Sequence, residues 1–443
     1  MENEFEKMPV LNLHAAGIDV GSKSHFSAIG QGENDFKEFG VYSKDHDLMI
    51  GYFKKNKITT IAMESTGSYW QTLFSALQNA GFEVKLVSGH QTKNVRAKTD
   101  VKDCQWIQKL HSLGMLQGCF LPSAETAKLR VLHRHRQSLI EESSKMTNKM
   151  QKSLRLMNLR LDNVISDITG KTGVAIIEAI LGGERNGKML SHLADPRVKK
   201  SKEEIASALQ GEWSDELLFE LGNCYDIYKM LQSKIHACDK KIELLLLDFT
   251  KNTGFHKDKN ELTKKQTKGK NQPKMDLSNL SYKYYGVDLM AIESISTSTV
   301  LTLICEIGNG VYKFNTAKQF AAFLRLAPNN RISGGKVISS RTPKGANKLA
   351  LALRNAANTI DKKPDSALGQ FFKRIAYKKG RGAAITATAR KMAVIIWNMI
   401  VKHQEYSPIQ SAEYRERIKQ NRIRSIRKMM VNSDIDIDEL AII

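Results

Sequence analysis

The sequence predicts an N-terminal α/β domain followed by all-α architecture, and three observations carry that expectation. Short β-branched or alternating runs follow one another as far as Val87, and two long charged segments with helical apolar spacing fill the middle. The C-terminal part is apolar at helical periods and strongly basic. At 443 residues the chain has room for two or three domains, taking about 150 residues for each. A hydrophobic share of 41% suffices for real cores and excludes a wholly disordered chain.

The strands come first. Gly17-Ile18-Asp19-Val20-Gly21-Ser22-Lys23 reads as a strand ending in a tight glycine turn, with Ser24 to Ile29 as its hairpin partner. Ile18 and Val20 alternate with Asp19, so the carboxylate faces away from its apolar neighbours. Phe36 to Val41 is a third strand and Asp47 to Lys54 a helix. Ile58 to Glu64 is a β-branched strand ending on a carboxylate. Tyr69 to Ala80 is a helix stopped by Gly81, and Phe82 to Val87 alternates as a further strand. A meander followed by strand, helix and strand makes a mixed sheet covered by helices. That is the pattern of the ribonuclease-H-like fold, and other α/β domains share it.

Val101, Cys104, Ile107 and Leu110 mark the seam of the next helix, which Gly114 stops. Asp100 and Asp103 fall on its first turn, where Asp100 as cap and Asp103 at the positive helix end is the plain structural account. The sheet domain is therefore placed at 1–123. Residues 124–250 read as a helical arm or coiled coil with a small insertion, its apolar positions running from Leu129 to Leu161 and again from Leu217 to Phe249. Residues 251–283 form a Lys-rich linker, solvated and flexible by composition. Residues 284–405 form a mainly helical domain, in which the Gly308-Asn309-Gly310 turn between two helices is a candidate phosphate grip. Residues 406–443 add a basic helix over Arg415–Lys428 and a mobile acidic tail over Asp434–Glu439.

Charge narrows the partners. The formal net charge is +22, and such an excess calls for an anionic partner, nucleic acid before a membrane surface. No uninterrupted apolar run reads as a membrane span, and the acidic start, Met1-Glu2-Asn3-Glu4, is unlike a signal peptide. Cys104, Cys119, Cys224, Cys238 and Cys305 are scattered without metal-ligand spacing, which suits a reducing cytoplasm. Between Glu306 and Glu405 the only carboxylates are Asp361 and Asp365, against nineteen Lys and Arg. A solvated surface of mixed sign does not exclude acid over so long a stretch, so this domain is expected to meet nucleic acid.

Asp19, Glu64, Asp100 and Asp103 come from three elements. If they converge they repel one another unless a cation intervenes, and Mg²⁺ suits oxygen ligands. Two such ions about 4 Å apart can clamp the attacking and leaving oxygens of a phosphodiester transfer.

At these residues the chain resembles a known family. Gly17-Ile18-Asp19-Val20, Met63-Glu64-Ser65-Thr66-Gly67-Ser68-Tyr69-Trp70 and Lys98-Thr99-Asp100-Val101-Lys102-Asp103 are similar, in order and separation, to the DEDD motifs of the IS-one-ten family of insertion-sequence transposases. Leu326-Ala327-Pro328, Ser333-Gly334-Gly335-Lys336, Lys344-Gly345-Ala346-Asn347-Lys348 and Leu353-Arg354-Asn355-Ala356-Ala357 resemble its C-terminal motif. Cys104 stands where many relatives have Ala, and the middle of the chain is enlarged. The resemblance implies a RuvC-like, ribonuclease-H-fold domain joined to a C-terminal transposase domain. It implies a DNA recombinase working through a covalent serine–DNA link, guided by a structured bridge RNA that pairs with donor and target DNA. It also implies a homo-oligomer, a dimer or tetramer, acting in a prokaryotic cytoplasm. Carried over by motif, Asp19, Glu64, Asp100 and Asp103 hold Mg²⁺ (two ions), and Ser333 attacks the phosphate.

Chemistry is compatible with that assignment. A serine hydroxyl is a weak nucleophile until its proton is removed. Gly334 and Gly335 allow close backbone approach to a phosphate, and Arg331, Lys336, Arg341 and Lys344 can neutralise developing charge. Lys348 and Arg354 extend the nucleic-acid contact. Ser339 and Ser340 are rival nucleophiles, and a plain turn is the alternative for Ser333-Gly334-Gly335. Other readings are a Piv-type DNA invertase, a hydrolytic RuvC-like junction nuclease, a tyrosine recombinase using Tyr312 or Tyr406, and a non-enzymatic basic scaffold.

Overall fold

The computed structural model describes residues 8–92, 99–258, 260–263, 269–345 and 347–407, together with 416, 419–420, 423–427 and 430. The chain divides into two compact units, Met1–Leu121 and Pro122–Ile443.

In the first unit, β1 (Ala15–Val20), β2 (His25–Ala28) and β3 (Phe36–Phe39) form an antiparallel meander. Helix α1 (Ser43–Lys55) leads to β4 (Thr60–Glu64), α2 (Trp70–Asn79) to β5 (Glu83–Val87), and α3 (Gly89–Thr92) and α4 (Asp100–Ser112) follow. The sheet order is β3-β2-β1-β4-β5, with β1, β4 and β5 parallel. This mixed sheet is consistent with the ribonuclease-H-like arrangement that the sequence pattern predicts. One face packs Ile18, Val20, Ile61 and Met63 against Met49 and Phe53 of α1 and Leu73 and Leu77 of α2. The opposite face sets Ala62 and Val87 against Ile107 and Leu110 of α4. Each large apolar side chain so buried contributes about 1.5–3 kcal/mol.

Local chemistry moves two helix starts away from their expected places. Helix α1 begins at Ser43 rather than Asp47, because the Asp45 carboxylate accepts from the backbone N–H of Tyr42 at 3.1 Å. Tyrosine is not a capping residue by type, so the sequence hides this start. At α4 the cap is Thr99, whose hydroxyl accepts from Lys102 N at 3.2 Å. Asp100 is the first helical residue, not the cap.

In the second unit, α5 (Ala124–Leu156) leads through α6 (Leu161–Val164), α7 (Lys171–Leu181), α8 (Gly187–Ser191) and α9 (Lys202–Ala208) to α10 (Asp215–Phe249). The two long helices run antiparallel: Arg136 meets Asp239, Ser143 meets Gln232 and Ser153 meets Glu220. The short helices between them make a small core around Ile176, Ile177 and Ile180. The Arg136–Asp239 pair is nearly inaccessible, at 1% and 2% exposure, with Nε and Oδ1 2.5 Å apart. Asn271 supplies a carbonyl to the same guanidinium at 3.0 Å. Gln272 Oε1 accepts from the hydroxyls of Thr297 and Ser298 at 2.5 and 2.9 Å. This part of the Lys-rich stretch is therefore fastened down and differs from a solvated linker. Its anchors are a backbone carbonyl and one amide, which composition does not reveal.

The chain continues through α11 (Leu277–Tyr285), α12 (Thr297–Glu306), a 3₁₀ turn Gly308–Lys313, α13 (Ala317–Phe323), the hairpin of β6 (Arg331–Ser333) and β7 (Lys336–Ser339), α14 (Lys348–Thr359), α15 (Ala367–Lys379) and α16 (Arg381–Lys402). The Gly308 turn is not a phosphate grip. Gly308 is buried, a Cβ there would overlap Thr126 Oγ1, and its carbonyl accepts from the Tyr285 hydroxyl at 3.3 Å. Helix α16 has the length and apolarity of a membrane span, against the expectation that no such run exists. Half of that span is buried, with Met392, Ala393, Ile396 and Ile400 in the core and α13, α14 and α15 packed around the helix. Of the C-terminal basic segment, Glu416, Lys419, Gln420 and residues 423–427 are helical. Asp434–Glu439 lies outside the described residues.

Two outcomes test this packing. Asp239→Ala strands the Arg136 charge and costs about 3–5 kcal/mol, read as a lower urea midpoint at unchanged slope. Replacing both partners together by apolar residues costs much less than the single change. Burial also lowers His25 and His111 to pKa values of about 4, His46 adding to the effect on His25 and Lys85 to that on His111. An unfolded histidine titrates near 6.5, so below about pH 6.5 the unfolded chain binds protons that the fold refuses. Stability is full above about pH 6.5 and falls as pH drops towards 4. Thermal midpoints between pH 7.5 and 5 measure this, and His111→Gln flattens the dependence.

Candidate active site and nucleic-acid interface

The acidic site is positioned by strand register. Ile18 of β1 lies opposite Met63 of β4 in a parallel pair, so one residue further on Asp19 lies beside Glu64. Residues in register on parallel strands face the same way. Asp19 shares its face with Gly17, and Glu64 shares its face with Ala62, so both carboxylates project on the side that α4 covers. Both are half-buried.

Helix α4 reaches this face because of Gly17. A Cβ at Gly17 would overlap the backbone nitrogen of Gln108 and stand 2.6 Å from the carbonyl oxygen of Cys104. Backbone rests on backbone there, which only glycine permits. Asp103 sits half-buried on the first turn of α4, and Asp100 is exposed at its first residue. Burial pushes the Cys104 thiol up to about 12, and the charges of Asp19 and Asp103 push in the same direction. The two carboxylates therefore share one neighbourhood, and Cys104 stays protonated between them.

Glu64 is held in place by residues that sequence reading missed. The Thr92 hydroxyl donates to its Oε2 at 2.6 Å and the Thr66 hydroxyl to its Oε1 at 3.3 Å. A Cβ on Gly89 would come within 2.5 Å of Oε1, so the start of α3 also closes on this carboxylate. Thr66 lies inside a quoted motif; Thr92 had no signal beyond a threonine after a strand.

Asp19, Glu64, Asp100 and Asp103 supply oxygen donors only, which fits a hard divalent cation. Among the described residues, no three His, Cys, Asp or Glu side chains come close enough together to hold a metal ion. The donor chemistry and the face shared by Asp19 and Glu64 fit a divalent cation, while the described side chains as placed do not form a closed ligand set.

The second unit places Ser333 at the end of β6, opposite Lys336 of β7. Gly334 and Gly335 between them have φ of +53° and +74°, the pair of left-handed conformations that a two-residue hairpin turn requires. A Cβ on either would meet nothing within 4 Å. Conformation, and not close packing within the fold, is what calls for glycine here. Arg331, Ser333 and Lys336 are exposed. Of the rival serines, Ser339 is half-buried and its hydroxyl accepts from Arg341 N at 3.4 Å, while Ser340 is exposed. Tyr406, the tyrosine alternative, donates to Glu293, and burial together with that carboxylate pushes its phenol well above the usual range.

Arg341, Lys344 and Lys348 are exposed beyond the hairpin. Arg354 donates to the carbonyl of Arg325 at 3.4 Å, and Arg325 donates to the carbonyl of Lys344. Gly345, at φ +138°, leaves the space that the Arg325 guanidinium fills. Arg325 was not singled out by sequence, because it sits within an apolar helical run; the glycine opposite it was the available signal.

These features define a class: a mixed-sheet α/β unit with an acid pair on adjacent parallel strands, joined to a basic helical unit. Comparison with known families narrows it. Residues 16–159 match a model of the IS110 DEDD transposase domain, described as Transposase, and residues 288–371 match one described as Transposase IS116/IS110/IS902 family. The chain belongs to the IS110 family of transposases. A stretch of 127 residues, 27% of the chain, is 25% identical to the transposase for insertion sequence element IS1111A of Coxiella burnetii. That stretch covers 33% of the Coxiella protein.

The contact at Gly17 can be tested without any activity assay. Gly17→Ala forces α4 off the sheet at a cost of about 1–3 kcal/mol. Cys104, inert in the native chain, then becomes alkylated by iodoacetamide, read by peptide mass spectrometry. Unchanged alkylation of Cys104 would show that α4 does not rest on β1.

Proposed function

We propose that this chain is the recombinase of an insertion sequence, cutting and rejoining DNA through Ser333 with metal-assisted chemistry at Asp19, Glu64, Asp100 and Asp103. The observation that carries the reading is the register that sets Asp19 beside Glu64 under the acidic turn of α4. Family membership supports it.

In this reading the four carboxylates bind Mg²⁺, as two ions, and the metal supplies Lewis-acid stabilisation of charge on phosphate oxygens. The chain's own work is elsewhere. Ser333 Oγ attacks phosphorus, an Oγ–P bond forms while a backbone P–O bond breaks, and the departing oxygen takes up a proton. Arg331 and Lys336 flank the serine on the hairpin and offset negative charge on the phosphate. Lys344, Lys348, Arg341 and Arg354 bind backbone phosphates of donor and target DNA, with Gly334 and Gly335 keeping the hairpin tip free of side chains. Among the described residues Ser333 meets no base, so its proton goes to a group brought to it on assembly. A carboxylate of a second copy fits that role, which supports a homo-oligomer. The long basic surface also suits a structured guide RNA from the element's flank.

Three measurements test the proposal. Ser333→Ala abolishes the covalent protein–DNA adduct seen on denaturing gels, whereas Ser340→Ala retains it; an undiminished adduct in Ser333→Ala rules out the serine. Asp19→Asn lowers Mg²⁺-dependent strand transfer by about a hundredfold or more while leaving DNA affinity within about twofold. Strand transfer indifferent to Asp19→Asn leaves only a basic scaffold, and cleavage surviving in Ser333→Ala indicates a hydrolytic nuclease. Sequencing the RNA that copurifies from the host decides guidance: a single flanking species supports it, and random cellular RNA opposes it.

A further inference from the structure

In the second unit a groove of about 940 Å³ runs between α15 and α16 and reaches Pro328 and Arg341 at the foot of the hairpin. Only Gly380 separates the two helices. Phe371, Ile375 and Lys379 recur on one face of α15, and Ala383, Ala387 and Val394 on one face of α16. The alanines leave open the space that larger side chains would fill. With Leu326 these residues make an apolar floor that carries the ring of Phe371.

The rim has the opposite character. Arg341, Lys379, Arg390 and Lys391 line it, and no carboxylate is among the described residues that do. Lys391 Nζ and Arg374 Cζ lie 4.6 and 5.4 Å from the centre of the Phe371 ring. Ser340 and Thr342 add hydroxyls to the wall nearest the hairpin. An apolar floor with one ring, a few hydroxyls and an acid-free cationic rim calls for an occupant with a flat apolar body, polar edges and negative charge attached.

A nucleotide is such a molecule, provided that its base is unpaired. In a duplex the faces of a base are covered by its neighbours and its edge by its partner, so mainly phosphate is left for the rim. A base taken out of the stack can lie on Phe371 while its phosphates meet the cations. Position then favours DNA as the source. At the foot of the hairpin Asn329 N donates to the carbonyl of Arg341 at 3.0 Å. From Asn329 to Ser333 the strand advances by about 13 Å, or about four base steps at 3.4 Å each. The groove therefore begins within a few nucleotides of a phosphate held at Ser333. A DNA strand that leaves one partner and joins another is unpaired next to the cut, where the groove lies.

We propose that the groove between α15 and α16 holds an unpaired base of the DNA strand engaged at the hairpin, stacked on Phe371 with its phosphates on the rim. This site rests on the DNA reading above and adds to it a place for the substrate in its unpaired state. It keeps the strand at the hairpin while the strand changes partner, and it distinguishes unpaired from paired DNA.

The test uses the full chain carrying Ser333→Ala, in EDTA, so that binding is read without chemistry. The probes are oligothymidine, an abasic strand of the same length, oligouridine RNA and a DNA duplex. Two further changes are made separately in that chain. Phe371→Leu removes the ring and keeps an apolar side chain, and Ala383→Trp fills the groove from an exposed position. Each is expected to lower affinity for oligothymidine about tenfold while affinity for the duplex stays within about twofold. The abasic strand is expected to bind more weakly than oligothymidine and to be indifferent to Phe371→Leu. With one iodouracil in the oligothymidine, ultraviolet light is expected to join it to the peptide containing Phe371, read by mass spectrometry. Ala383→Trp is expected to abolish that product.

Equal losses for the duplex and the single strand overturn the base site, because the variants then act through the fold or through charge. Equal affinity for the abasic strand and oligothymidine overturns it as well. Stronger binding and crosslinking of oligouridine overturns the assignment to DNA and gives the groove to RNA. Single-strand binding without any crosslink at Phe371 overturns the nucleotide and leaves the groove to an acidic protein segment. If the chain binds no nucleic acid in any form, the DNA reading itself fails, whereas duplex binding with no preference for unpaired bases overturns the base site alone.

Discussion

The acidic site depends on one approach of backbone to backbone. Gly17 lets α4 lie directly on β1, and the first turn of α4 carries Asp103 to the face where Asp19 and Glu64 project. A methyl group at Gly17 would overlap Gln108 N, and relieving that contact would push the helix away by about 1 Å, enough to move Asp103 relative to the acid pair. The remaining features follow from that seat. Cys104 is sealed beneath the acids, Gln108 donates to the carbonyl of Ala15 at 3.3 Å, and the Thr60 hydroxyl meets His111 Nε2 at 2.9 Å along the same interface. The polar groups of α4 that face the sheet are tied to it, so the helix has little freedom to slide.

Sequence reading reached the strands and helices of the first unit because their signals are local. Alternation marked β1 and β5, and the 3.6-residue period marked α4. Even the relation of Asp19 to Glu64 was half visible: each stands at the far end of an apolar run. Their adjacency was not, since pairing of β1 with β4 joins residues some forty-five positions apart and no local pattern encodes it. The same limit explains Thr92 and Arg325. Both act through hydrogen bonds to partners distant along the chain, and neither residue type is unusual where it stands.

Where the sequence misled, it did so through composition. The Gly308 turn looked open because glycine and asparagine suit loops, yet here glycine is required by crowding against Thr126. The Lys-rich stretch looked solvated because lysine is, yet Asn271 and Gln272 within it satisfy groups on α5 and α12. Helix α16 lies in the stretch read as strongly basic, yet it carries Met392, Ala393, Ile396 and Ile400 into the core of the second unit. Side-chain type predicts exposure only on average; a buried backbone carbonyl or a tight contact can recruit any residue.

The hairpin raises a different point, about what an exposed serine would need in order to act as a nucleophile. Ser333 is exposed, flanked by Arg331 and Lys336, and set at a two-residue turn with both glycines left-handed. A solvated hydroxyl on such a tip keeps its proton, and nearby cations do not remove it. On the proposed reading the proton acceptor would have to be a carboxylate brought to the hairpin on assembly, so access to the serine, and not the reactivity of a single side chain, would decide when it acts.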